Sequence, residues 1–161
     1  TLIEVMRRAM TQVPRLHVVI AGVGALMNDV CAAVERSGFA DRFHLVGRQK
    51  NVPLIMSASE VLLLTSRQEG TPNVLLEAQW LGCPPVSTRA GGAVDALAPD
   101  QTGLFAEVGD VEALTSSVVA LLTDHERRAR LSRAGPAFIR ERFGLDRMVE
   151  ETLQVYRQAV E

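Results

Sequence analysis

Five short apolar runs alternate with helical segments through the first two thirds of the chain, and this alternation restricts the fold more than any other feature. The runs are "LHVVIAG", "RFHLVG", "VLLLTS", "PPVST" and "GLFAE". Each is too short for a helix and is bounded by glycine, proline or polar residues, so each reads as a strand. Helical segments lie between them. Residues 1–13 place Leu2, Val5, Met6, Ala9 and Val13 on one face and stop at Pro14. Residues 25–37 are followed by Gly38, a natural stop. Shorter helices are predicted at 53–58 and 72–81, and a turn or short helix at 93–97. Strand–helix alternation of this kind gives a parallel sheet with helices on both faces and right-handed crossovers. The predicted class is α/β, a Rossmann-like parallel sheet, and "LHVVIAG" reads as a strand buried on both faces. From Asp110 onward the strands stop. Asp110 caps a helix over 111–122, Asp124 caps another over 125–134, Gly135-Pro136 breaks it, and Asp146 caps a last helix to residue 160.

Composition narrows the function classes. A net charge of −2 gives no global case for nucleic acid or membrane binding. Aromatic residues are only 4%, so the core must rest on Leu, Val and Ala. Cys31 and Cys83 make neither a disulfide framework nor a metal-ligand spacing, and they read as reduced and buried in a cytoplasmic protein. No apolar run is long enough to span a membrane. The chain opens on Thr1 in what reads as mid-helix sequence, which points to a piece of a longer protein.

In open parallel sheets ligands bind beyond the carboxyl ends of the strands. The loops there are "GVG" after Ala21, "GRQKN" after Val46, "SRQEGTPN" after Thr65 and "TRAGGAVD" after Ser87. The third glycine of a dinucleotide fingerprint counted from Gly22 would be residue 27, which is Met27, so a hydride-transfer reading is rejected. The third loop holds the most chemistry. Thr71 can cap a helix whose first residue is Pro72, and the free amides there, with Gly70 beside them, suit a phosphate. Glu69 stands before the turn and Glu77 inside the helix, with seven residues between them. Asn73 and Glu77 share a helix face. Carboxylates repel phosphate but accept from sugar hydroxyls, so the pair suits a sugar on one side of a diphosphate and a ribose on the other.

The segment "SRQEGTPNVLLEAQWLGCPPVSTRAGGAVD", with "VVIAGVG", "TGLFAEVGDVEAL" and "ERFGLDRM" in order around it, resembles the second domain of family-4 retaining glycosyltransferases, enzymes of two facing Rossmann-like domains (the GT-B fold). The resemblance covers nearly the whole chain. It implies that residues 1–161 are the C-terminal donor-binding domain, and that an N-terminal acceptor domain is the partner. It implies a nucleotide diphosphate sugar as substrate, transfer of a hexose-type sugar with retention, and no required metal or cofactor. Glu69 would be the catalytic-site carboxylate at the donor sugar. Gly70, Thr71, Asn73 and Val74 would serve the sugar and diphosphate, Glu77 the ribose, and Gly47, Arg48 and Gln49 the base. The family's domain begins with a central strand and a loop whose Arg and Lys grip the diphosphate, and Thr1 follows that point, so this first strand is expected to be missing. Asp95 stands about where the family has a glutamate. His17, His44 and His125 match no motif and read as surface or strand residues, and Trp80 reads as core.

Two other functions remain open, a nucleotide-sugar epimerase of the same fold and a nucleotide-binding module without chemistry. The arginine-rich residues 126–142 could touch anionic lipid as a peripheral contact on the inner membrane face. A solvated helical face is the plainer reading.

Overall fold

A computed structural model describes residues 1–160; Glu161, the last residue of the expected 1–161 domain, lies outside the described residues. The elements in chain order are α1 (Leu2–Gln12), β1 (Val18–Ala21), α2 (Met27–Glu35), β2 (Phe43–Gly47), α3 (Val52–Ala58), β3 (Leu62–Leu64), α4 (Asn73–Trp80), β4 (Pro85–Thr88), β5 (Leu104–Ala106), α5 (Val111–Thr123), α6 (His125–Phe143) and α7 (Leu145–Val160). Single 3-10 turns occupy Ala40–Arg42 and Gly91–Val94. All five predicted strands form, and every pair is parallel.

The strands make two ladders and not one sheet. β1 pairs with β2, and β3, β4 and β5 form a second ladder in that order. Among the described residues no ladder bond joins β1 to β3. The two ladders share one core instead. Val18 and Ile20 of the first and Leu63, Val86 and Leu104 of the second pack with Met6 and Met10 of α1 and Leu114, Val118 and Leu121 of α5. Burying these side chains stabilises the fold by roughly 1.5–3 kcal/mol for each large one. The expectation of a first strand buried on both faces is corrected. β1 alternates, with Val19 45% exposed and Ile20 turned to the core, so only one face is covered. β4 is buried at every position because it stands between two strands and packs against both α4 and α5.

The predicted caps at the helical end are present. Asp110 accepts from the Ala113 amide at 2.8 Å and Asp124 from the Arg127 amide at 2.9 Å. Asp146 does not cap α7: the helix begins one residue earlier, and Asp146 lies in its first turn. The predicted break at Gly135-Pro136 is also absent, since α6 runs through both residues. Proline removes one helical hydrogen bond, but tertiary packing outweighs the loss. Gly135 lies on the backbone of α4, where a Cβ would stand 2.6 Å from the Gln79 carbonyl oxygen. Ser132 donates to the Gly82 carbonyl at 2.6 Å in the same contact. Gly135→Ala should therefore push α6 off α4 and lower the melting temperature by about 5 °C in a thermal scan.

Three further expectations are settled by placement. Trp80 is 49% exposed, with the Arg140 guanidinium 5.5 Å from its ring centre, so it is not core. Cys83 is buried, and burial pushes its thiol up to about 11, whereas Cys31 is only half-buried. The three histidines are exposed, and His17 and His44 hydrogen-bond across β1 and β2 at 3.1 Å. Three of the arginines of residues 126–142 are tied into the fold: Arg127 to Asp100, Arg128 to Glu60, and Arg130 to the Asp100 carbonyl. No described helix is long and apolar enough to cross a membrane.

Candidate functional site

The loop after β3 is built by hydrogen bonds that start in the core. The β3–β4 ladder ends at Leu64 opposite Ser87. One residue further on, the buried Thr88 hydroxyl donates to the Ser66 carbonyl at 2.6 Å, which carries the strand connection past the last ladder pair. The Ser66 hydroxyl in turn donates to Oε1 of Glu69 at 2.6 Å. Glu69 is half-buried, and its Oε2 has no hydrogen-bond partner among the described residues.

The backbone of the same loop rests on the Gly91–Gly92 turn. The Gly92 amide donates to the Glu69 carbonyl at 3.1 Å. A Cβ on Gly91 would overlap that carbonyl oxygen, and a Cβ on Gly92 would overlap the Gly70 carbonyl oxygen and stand 2.8 Å from its carbon. Gly91 also has φ +52, a conformation side chains rarely adopt. Both glycines are therefore demanded by the close approach of two backbones. Gly70 is different. A Cβ there would meet nothing within 4 Å, and its φ lies outside the left-handed region.

α4 begins at Asn73, and the expected Thr71 cap with Pro72 inside the helix is corrected. Pro72 itself is the cap residue, extended at ψ 102, and the helix can start only after it. No side chain caps this start. Among the described residues the Thr71 hydroxyl and the Asn73 and Val74 amides have no hydrogen-bond partner, while the Leu75 amide donates to the Pro72 carbonyl at 3.0 Å. The first two amides of α4 can therefore meet an external acceptor with the positive end of the helix dipole behind them. Asn73 and Glu77 are exposed on the same face, four residues apart, and Val74 is half-buried beside them. Glu69, Gly70 and Thr71 thus lie on the turn that leads into α4, and Asn73, Val74 and Glu77 on its first turns.

Gly47, Arg48 and Gln49 lie on the other ladder. Gly47 closes β2 with φ +64, and its carbonyl accepts from the Gly22 amide at 2.7 Å, joining the first two loops. Gln49 folds back on the Val46 carbonyl, and Arg48 is exposed. No hydrogen bond among the described residues joins this loop to the Glu69 segment. Asp95 ends the Gly91–Val94 turn and is exposed. Sequence reasoning passed over Ser66 and Thr88, although Ser66 is three residues before Glu69, within easy hydrogen-bond reach in a turn.

Comparison with known proteins decides the family. The model of the family described as "Glycosyl transferases group 1" matches residues 1–138. This chain belongs to that family. Among curated relatives, this group 1 chain is 34% identical over 143 residues to the 2-deoxystreptamine N-acetyl-D-glucosaminyltransferase of Streptomyces fradiae, covering 88% of this chain and 34% of that protein. Its fold is shared by HepE of Anabaena, solved in complex with UDP-glucose, at TM-score 0.83 and 22% identity over 94% of this chain and 44% of that one. The C-terminal domain of a glycosyl transferase group 1 family protein (LpcC) from Francisella tularensis matches at TM-score 0.81 and 18% identity, over 89% of this chain and 78% of that one. The group 1 chain spans about a third of the length of the curated relative it matches.

Proposed function

We propose that this chain is the donor-binding, C-terminal domain of a two-domain retaining glycosyltransferase of family 4. The reaction would transfer a hexose-type sugar from a nucleoside diphosphate sugar: the bond from the anomeric carbon to a phosphate oxygen breaks, a bond to the acceptor oxygen forms, and the acceptor's proton is released. The start of α4 would take the diphosphate, where open amides and the helix dipole stabilise the charge that grows on the leaving group. Glu69 Oε2 would accept from donor-sugar hydroxyls, Glu77 from the ribose, and the Gly47, Arg48 and Gln49 loop would hold the base. The nucleotide sugar is a substrate, and the reading needs no cofactor. The central strand that the resemblance implies would stand between β1 and β3, which share no ladder bond among the described residues, and an N-terminal acceptor domain would close over the same strand ends.

The observation that carries this reading is Gly70. Neither its own backbone conformation nor any neighbouring atom demands glycine, yet it lies beside an uncapped helix start. A ligand approaching the backbone supplies the missing reason. Calorimetry with UDP, GDP and their sugars tests it. One nucleotide should bind, Gly70→Ala should weaken it about tenfold, roughly 1.4 kcal/mol, without moving the melting temperature, and Glu77→Gln should weaken it with little change in turnover. No binding by any member of the panel would overturn the donor-binding reading, and binding without any transfer by the full-length protein would favour the nucleotide-binding module.

A further inference from the structure

We propose that Ser66 is a positioning residue for Glu69, and that it leaves the carboxylate one oxygen, Oε2, with which to meet the donor. The proposal rests on the glycosyltransferase reading above and deepens it. Three contacts support it. Thr88, fully buried on β4, fixes the Ser66 backbone at its carbonyl. The Ser66 hydroxyl is then placed 2.6 Å from Glu69 Oε1, the short spacing of a hydroxyl donating to a carboxylate. Gly92 fixes the Glu69 backbone from the other side. The carboxylate is thereby held at both of its ends, the main chain and one oxygen. A glutamate side chain has three rotatable bonds, and an exposed one would sample many rotamers. Here the core reaches through one hydroxyl to select one of them before any ligand arrives.

Such pre-organisation matters most when the carboxylate must meet a transition state, and less when it only has to help bind a ground state. The expected signature is therefore a split between kinetic constants. In the full-length transferase, Ser66→Ala should lower kcat about tenfold while the donor KM changes less than about twofold. Ser66→Thr, which keeps the hydroxyl, should restore most of kcat. The melting temperature of both variants should stay within about 2 °C of the parent, since one partly exposed hydrogen bond is lost at most. An unchanged kcat in Ser66→Ala would overturn the proposal. So would a Thr variant as slow as the Ala variant, which would mean that the hydroxyl is not what matters. A parent enzyme that transfers no sugar from any nucleotide sugar would overturn the function proposed above, whereas an active parent with a fully active Ser66→Ala would overturn only the role of Ser66.

Discussion

Glu69→Gln is expected to lower kcat of the full-length enzyme about 100-fold, the scale of losing one well-placed electrostatic contact at a reacting centre. The geometry explains why so conservative a change should cost so much. Ser66 donates to Oε1 and needs an acceptor there. A glutamine will turn its carbonyl oxygen to Ser66, which leaves its NH2 group where Oε2 stood. The position proposed to face the donor sugar then changes from a charged acceptor to a neutral donor, and a sugar hydroxyl that donated to it would lose its partner. The fold should be unaffected, because the side chain keeps its shape and its Ser66 contact. Steady-state kinetics beside a thermal scan make the check, and a Glu69→Gln enzyme of normal turnover would remove Glu69 from the site.

Gly92→Ala should produce the second large effect, on binding and stability together. Its Cβ would press on the carbonyl group of Gly70, which is main chain and has no rotamer to escape into. The Glu69–Thr71 segment must shift, or the Gly92 amide must leave the Glu69 carbonyl. Either movement displaces the entrance to α4. We expect a melting temperature lower by about 5 °C, from overpacking of roughly 1–3 kcal/mol, and nucleotide affinity lower by at least about tenfold. The contrast with Gly70→Ala is diagnostic: the same side chain added one backbone away should cost binding without costing stability.

Much of this arrangement can be read from the residues. Short apolar runs bounded by glycine, proline or polar residues placed all five strands, and the turn and helix start between Glu69 and Glu77 single that pair out as a candidate site. Local signals failed where tertiary contact overrides propensity. Gly135-Pro136 looks like a break, yet the absent Cβ of Gly135 is what lets α6 lie on α4. Trp80 looks like core by size, but at the end of α4 it is exposed, and Arg140 of α6 lies over its ring. Thr71 is a good cap residue in isolation, and Pro72, locked in φ and extended in ψ, moves the helix start beyond its reach. The division into two ladders has no local signal at all, because pairing partners are set by the whole sheet. Ser66 was visible only as one polar residue among several in "SRQE", and its role depends on Thr88, twenty-two residues away.

Between Ser66 and Glu69 lie Arg67 and Gln68, both exposed and without a hydrogen bond among the described residues. The loop is anchored on either side of them, so neither is needed to set the carboxylate. The scaffold thus separates two demands: a fixed geometry for the Glu69 carboxylate and free choice of side chain next to it. A sequence can change at these two positions without rebuilding the turn that holds Glu69.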